Sequence, residues 1–307
     1  MAMLVEKGRD RRIALSAHGL VGRSPACGLR LDAARASAEH ARISYQEGAW
    51  TVRDLGSRNG TYVNGERLAP GGTRALAAGD RLAFGDKDAL FELADVSPPV
   101  AMARHLGTDA LIPGGQGLLA LPSPDEPTAC VVESSGGAWL LEREGQTREA
   151  QDGEIIEAGG ERFMLHLPVP LAVTVEAGER GPRVEDAALR FRVSRDEEAV
   201  ELAVVTRGRA QVLPPRSHHY MLLTLARAMV RDREEKGLAA PQRGWVFVDD
   251  LCRMLSTDEN KLNVEIYRVR QEMGALGLEN AAAVIERRRG SRQLRVGTEA
   301  IAIEAMT

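Results

Sequence analysis

Along the first hundred positions, apolar residues recur at every second place in short runs that Gly, Asp and Asn interrupt. Ile43, Tyr45, Trp50 and Val52 make one set, and Leu76, Leu82, Phe84, Leu90, Phe91 and Leu93 another. This alternation predicts half-buried antiparallel strands folded into a sandwich. Two Asn-Gly pairs, Asn59-Gly60 and Asn64-Gly65, enclose Thr61-Tyr62-Val63, and such pairs signal hairpins because both residues tolerate positive φ. Residues 1–97 therefore read as one all-β domain.

Residues 98–185 read as a β-rich middle segment and linker, opening on Ser97-Pro98-Pro99 and carrying the loop Pro122-Ser123-Pro124-Asp125-Glu126-Pro127. Within it, the stretch from Ala129 to Leu141 echoes Ala41 to Val52, and Asp152 to Phe163 echoes Gly79 to Phe91. A degenerate internal repeat and two β-meanders with similar turns both fit. The period changes after about residue 186. Leu189, Phe191 and Val193, then Val200, Leu202 and Val204, alternate as two strands. Leu222, Leu225, Ala226 and Met229 recur at three and four residues, predicting a helix over 216–231. A short helix from Asp249 to Leu255 follows. A longer one, capped by Thr257 or Asp258, carries Leu262, Ile266, Val269 and Met273 on one stripe. Val284-Ile285-Glu286 and Gln293 to Val296 then bracket an arginine-rich tip.

A length of 307 residues suits such a multidomain reading. No apolar run approaches the roughly 18 residues of a membrane span, and Met1 to Lys7 lacks the apolar core of a secretory signal, so a cytoplasmic address without membrane contact is expected. Cys27, Cys130 and Cys252 lie too far apart in sequence to suggest a disulfide framework or a zinc site. The six histidines show no paired metal spacing, and the adjacent His218 and His219 are expected to point apart. No nucleophile elbow, zincin or kinase signature occurs, so neither catalysis nor a cofactor is expected. Charge is uneven. Residues 1–185 carry 20 basic and 26 acidic side chains, net −6, and residues 186–307 carry 20 and 18, net +2. Five arginines crowd into Glu286 to Arg295, a patch suited to a polyanion.

Gly22-Arg23-Ser24, then Ser37-Ala38-Glu39-His40, then the run Asp54-Leu55-Gly56-Ser57-Arg58-Asn59-Gly60-Thr61 make a pattern that resembles the forkhead-associated (FHA) family. The resemblance implies a sandwich that binds phosphothreonine on partner proteins. It also implies that Arg23, Ser37 and the Ala38 amide hold the phosphate, Arg58 adds a contact, Asn59 holds the ligand main chain, and Gly22, His40 and Gly60 shape the loops. The residue types fit: a phosphothreonine carries a charge near −2 and three acceptor oxygens, which a planar guanidinium and short hydroxyl and amide donors can match.

Leu262 to Gln271 and Ile285 to Arg295 resemble the recognition helix and wing in the carboxy-terminal DNA-binding domain of OmpR/PhoB-type response regulators, which implies an α+β winged helix over 186–307. On that resemblance Lys261, Asn263, Tyr267, Arg268 and Arg270 would enter a major groove, and Arg287, Arg288, Arg289 and Arg292 would meet phosphates. The loop between the second and third helices is shorter than in that family, and Glu265 adds negative charge to the reading face. Two functions are thus expected: a transcriptional regulator that binds a threonine-phosphorylated kinase or substrate and duplex DNA, or a phosphothreonine-reading scaffold without DNA.

Overall fold

The protein is described by a computed structural model covering residues 2–9, 11–134, 136–168, 181–235, 237–288 and 290–306. The chain divides into two compact units, Met1–Arg104 with Leu165–Ala172, and His105–Met164 with Val173–Thr307.

The amino-terminal strands are β1 (Met3–Glu6), β2 (Arg11–Ala14), β3 (His18–Gly22), β4 (Leu29–Arg30), β5 (Ala41–Gln46), β6 (Ala49–Asp54), β7 (Thr61–Val63), β8 (Glu66–Arg67), β9 (Thr73–Leu76), β10 (Arg81–Phe84) and β11 (Leu90–Asp95). They form a six-stranded sheet, β2-β1-β11-β10-β7-β8, and a five-stranded sheet, β4-β3-β5-β6-β9. The alternating residues of both sheets meet in one core, where Leu4, Ile43, Trp50, Val52, Leu82, Phe84 and Leu93 are almost fully buried. At Asn64-Gly65 both residues have positive φ, 53° and 83°, as a tight hairpin requires, whereas in the first Asn-Gly pair only Gly60 does, at 86°. Asn59 is therefore not spent on turn geometry.

Eight further strands follow: β12 (Met102–His105), β13 (Leu111–Pro113), β14 (Leu118–Leu121), β15 (Ala129–Glu133), β16 (Trp139–Arg143), β17 (Gln146–Glu149), β18 (Ile155–Ala158) and β19 (Glu161–His166). Their sheet orders are β13-β12-β19-β18 and β14-β15-β16-β17. Strand for strand, these repeat β2-β1-β11-β10 and β3-β5-β6-β9. Among the described residues β4, β7 and β8 of the first set have no counterpart. The hairpin β15-β16 is the stretch whose sequence echoes β5-β6.

The carboxy-terminal elements are β20 (Ala188–Val193), β21 (Val200–Thr206), β22 (Arg209–Leu213), α1 (His218–Glu234), β23 (Val246–Phe247), α2 (Val248–Met254), α3 (Glu259–Ala275), β24 (Ile285–Arg287), β25 (Gln293–Val296) and β26 (Ile301–Ala305). The sheets run β22-β21-β20-β26 and β23-β25-β24. Both long helices lie where the three-and-four spacing predicts, and Asp258 caps α3 by accepting from the Lys261 amide at 2.8 Å. Leu222, Leu225, Ala226 and Met229 of α1 pack with Leu262, Ile266, Val269 and Met273 of α3 in one core. The sequence pattern does not predict β26. This short strand pairs in parallel with β20, Leu189 opposite Ile301, a partnership more than a hundred residues away along the chain. No described helix is long and apolar enough to cross a membrane.

Helix α3 packs against the sheet of β14 to β17, all within the second unit. Tyr267 lies among Leu118, Ala120, Cys130, Val132 and Ala282. Next to it, Arg270 meets the Glu142 carboxylate of β16 with two bonds, Nη1 to Oε2 at 2.7 Å and Nη2 to Oε1 at 2.9 Å. Arg270 also donates to the carbonyls of Ala282 at 2.9 Å and Ile285 at 2.7 Å. Arg287 completes the group, with Nε donating to Glu142 Oε2 at 3.0 Å and Nη2 to Asn263 Oδ1 at 2.8 Å. The side chains of Arg270, Glu142 and Arg287 are 2%, 6% and 7% exposed, so the cluster is desolvated. Burial disfavours the charged form of Glu142, but the two guanidiniums outweigh it and hold the carboxyl below its usual range. Removing the carboxylate would leave two cations buried without a counter-charge. Glu142→Gln is therefore expected to destabilise the second unit by about 3–5 kcal/mol, whereas replacing all three residues by apolar side chains of similar volume should restore most of that loss. Urea denaturation of the full chain checks this, and an unchanged midpoint for Glu142→Gln would show that the cluster carries no stability.

Candidate functional site

Three loops of the amino-terminal sandwich meet at one place: the end of β3, the segment 35–40 before β5, and the turn from Asp54 to Gly60 between β6 and β7. Gly22 makes the first approach possible. A Cβ there would lie 2.2 Å from the Ala38 carbonyl oxygen, so any other residue would push the loops apart. The approach is fastened by backbone bonds from Arg23 to the Ser37 carbonyl at 3.0 Å and from Ser24 to the Ala38 carbonyl at 2.9 Å.

Residues 35 to 37 each take one bond from a different predicted ligand contact. Asn59 Nδ2 donates to the Arg35 carbonyl at 2.7 Å. Arg23 Nε donates to the Ala36 carbonyl at 2.7 Å. The Arg58 amide donates to Ser37 Oγ at 3.2 Å. What these bonds leave over is what an anion needs. The exposed Arg23 guanidinium is held by Nε while its two terminal nitrogens have no partner among the described residues. Ser37 Oγ, occupied as an acceptor, still has its own proton to donate. Asn59 keeps Oδ1 as an acceptor for a ligand amide, and the Arg58 and Ala38 positions are exposed.

His40 fixes the loops from below. It is fully buried, and its Nδ1 lies 3.0 Å from the Ser37 amide while Nε2 lies 3.1 Å from the Gly60 carbonyl. An amide can only donate, so Nδ1 is the acceptor and Nε2 carries the hydrogen. Burial pushes the His40 pKa below 6.5, only partly countered by the Gly60 bond and the charge of Asp54. Protonating Nδ1 would break the bond to Ser37.

Sequence reasoning gave Asp54 no role, yet it organises the last loop. Buried at 2% exposure, it receives Ser57 Oγ at 2.6 Å and Thr61 Oγ1 at 2.7 Å on one oxygen, and the amides of Gly56 at 2.9 Å and Ser57 at 3.1 Å on the other. Burial raises its pKa, but the hydroxyl and amide bonds together prevail and leave the carboxyl below its usual range. The signal was present as Asp followed by Ser at the third place and Thr at the seventh, a set that can fold back on one carboxylate.

The family model for the FHA domain matches residues 19–85. Residues 19–85 form an FHA domain. Over 64 residues, 21% of this chain, the sequence is 41% identical to the oxoglutarate dehydrogenase inhibitor of Corynebacterium diphtheriae, and over 58 residues, 18% of this chain, it is 43% identical to the protein FraH of Nostoc. The matches span 43% and 20% of those relatives' own lengths, so the likeness is confined to a part of each. Among solved structures, Mycobacterium tuberculosis EmbR in complex with a low-affinity phosphopeptide is 28% identical, over 32% of this chain and 25% of that one, with a TM-score of 0.29. The amino-terminal FHA domain of S. cerevisiae Rad53p with a phosphothreonine peptide is 25% identical, over 31% of this chain and 90% of that one, with a TM-score of 0.27.

The residues nominated for DNA are dispersed. Lys261 and Arg268 of α3 are exposed. Tyr267, Arg270 and Arg287 are instead buried against β14 to β16, and Asn263 is held by Arg287, because the sheet of β14 to β17 covers the face on which they lie. The expectation that these side chains face a groove is corrected accordingly for this structure. Arg292 donates through Nη2 to Glu259 at 2.7 Å and Asp249 at 3.3 Å. The exposed Arg288 lies over the Trp245 ring at 5.5 Å, and Arg289 falls outside the described residues.

The His40 geometry sets a pH dependence. Unfolded His40 takes up a proton near pH 6.5, whereas the folded group resists it to lower pH, so the unfolded state binds more protons across that window. The stability of the unliganded FHA domain should therefore fall as pH drops through 6.5 and stop falling, on this account, below the folded pKa. Thermal midpoints between pH 7.5 and pH 5 should show this slope in the natural chain and a flatter one in His40→Asn; equal slopes would remove His40 as its source.

Proposed function

We propose that this chain is a non-catalytic signalling protein that binds threonine-phosphorylated partner proteins through its FHA domain. Arg23, Ser37 and the Ala38 amide would take the phosphate, Arg58 would add positive field, and Asn59 would hold the partner's main chain. One observation carries the reading: three side-chain or amide anchors on residues 35 to 37 leave the terminal nitrogens of Arg23 and the Ser37 hydroxyl proton as donors and Asn59 Oδ1 as an acceptor. A dianion placed there would gain charge-assisted bonds without displacing any existing one, because each anchor uses an atom other than the one offered to the ligand. Calorimetry with phosphothreonine, phosphoserine and unmodified peptides tests it. Arg23→Ala should weaken phosphothreonine binding by a factor on the order of 30 or more, from the 2–5 kcal/mol cost of truncating one partner of a charge-assisted pair. Unchanged affinity in a folded variant would reject the pocket.

For the rest of the chain, we read residues 98–185 as a degenerate repeat of the FHA fold without ligand loops, and 186–307 as a winged helix seated on it. Between the two expected functions, the scaffold reading is favoured, since Glu142 already neutralises Arg270 and Arg287 and Tyr267 is packed away. Few phosphate contacts then remain. DNA affinity should be weak and should change by less than about tenfold between 50 and 200 mM salt. A loss of about 1000-fold over that range, abolished by Arg270→Ala, would instead mean that the cover opens and that the chain is a DNA-binding regulator.

A further inference from the structure

Outside the phosphopeptide loops, three ligand-type side chains converge in a way that adjacency in sequence argues against. His218 and His219 are the first two residues of α1, and neighbouring helical residues ordinarily diverge. Here both rings turn to one carboxylate brought by α3. His218 Nε2 lies 3.2 Å and His219 Nε2 2.7 Å from Glu272 Oε2, and the ligand atoms of all three lie within 4.8 Å of one another. The rings stand edge to face, with centroids 4.8 Å apart, so their nitrogens converge instead of stacking.

We propose that His218, His219 and Glu272 form a binding site for one divalent transition-metal ion of the zinc type, tying the start of α1 to α3. Two imidazole nitrogens and one carboxylate oxygen are a donor set that such an ion accepts at about 2.0–2.2 Å, leaving a fourth position for water. Around a tetrahedral centre with those bond lengths, ligand atoms stand about 3.3 Å apart. The 3.2 Å between His218 and Glu272 already matches, the 2.7 Å between His219 and Glu272 would open by about 0.6 Å, and the two imidazole nitrogens, within 4.8 Å of one another, would close toward the same spacing. Nitrogen donors discriminate against magnesium and calcium, which prefer oxygen.

The surroundings favour occupancy. His219 is completely buried, and the side chains of His218 and Glu272 are 9% and 18% exposed, so the ion would be mostly shielded yet reachable from solvent. Among the described residues, His219 Nδ1 has no hydrogen-bond partner. Moving the proton from Nε2 to Nδ1 would free the Nε2 lone pair for a cation, at the cost of the bond to Glu272 and of a buried N–H without an acceptor. Glu272 Oε2 faces both imidazoles, at 3.2 and 2.7 Å. Among the described residues its Oε1 takes no hydrogen bond, so that oxygen too is open to a metal or its water. Without an ion, the same three groups would be a hydrogen-bonded brace only.

The full chain, stripped with chelator and dialysed at pH 7.5, is titrated with zinc sulfate while heat and bound metal are recorded. One zinc ion per chain is expected, with a rise in thermal midpoint that magnesium does not reproduce. Glu272→Gln and His218→Asn should each weaken zinc binding at least tenfold and leave phosphothreonine-peptide affinity unchanged, which separates this site from the FHA pocket. Cobalt added to the natural chain should give the intense visible absorption of a four-coordinate site, a readout that does not depend on the variants folding. Absence of stoichiometric zinc uptake, a cobalt spectrum of the free hydrated ion, or undiminished uptake in folded Glu272→Gln would each overturn the assignment and leave the brace alone.

Discussion

A buried imidazole with its two nitrogens committed to two different loops is the constraint on which the candidate site rests. Loops carry backbone amides and carbonyls that no strand satisfies, and a set of loops can hold one geometry only if something fixed accepts and donates where they meet. His40 does this by taking the Ser37 amide on one side and offering its own hydrogen to the Gly60 carbonyl on the other. Asp54 serves the same end for the turn that carries Arg58 and Asn59, with four bonds on one carboxylate. Because both groups are buried and saturated, the exposed donors above them need not reorganise when an anion arrives, and preorganisation of that kind lowers the cost of binding.

The second unit uses charge differently. Glu142 is fully enclosed by two guanidiniums, so the attraction that would otherwise be available to a polyanion is consumed inside the protein. The strands β12 to β19 repeat the strand orders of the amino-terminal sheets but, among the described residues, have no counterparts of β4, β7 and β8 and lack the Gly-Arg-Ser and Ser-x-x-His residues. They present an acidic side chain on β16 and an apolar patch on β14 and β15, and α3 is complementary to both. Covering α3 this way gives the helix a partner surface at the expense of its availability to DNA.

Much of the fold was legible along the chain, because alternation and three-and-four spacing are local consequences of strand and helix geometry. The helices α1 and α3, the hairpin at Asn64-Gly65 and the strands β5 to β7 and β9 to β11 lie where the pattern places them. The candidate ligand residues were legible too, since a motif confined to three short loops keeps its spacing when written in sequence. Asp54 was missed because its importance lies in four bonds made by neighbours, none of which is visible in residue type alone.

What sequence by itself determined, then, was which residues form strands and helices and which residue types could meet a phosphate, because both follow from interactions within a few positions of one another. Only the tertiary structure decided that Arg270 and Arg287 face Glu142 instead of solvent, that His218 and His219 share Glu272, and that β26 pairs with β20. Each of those outcomes joins groups from about fifty to nearly 150 residues apart. Their partners are set by how sheets and helices stack to bury apolar surface, and no periodicity along the chain encodes that choice.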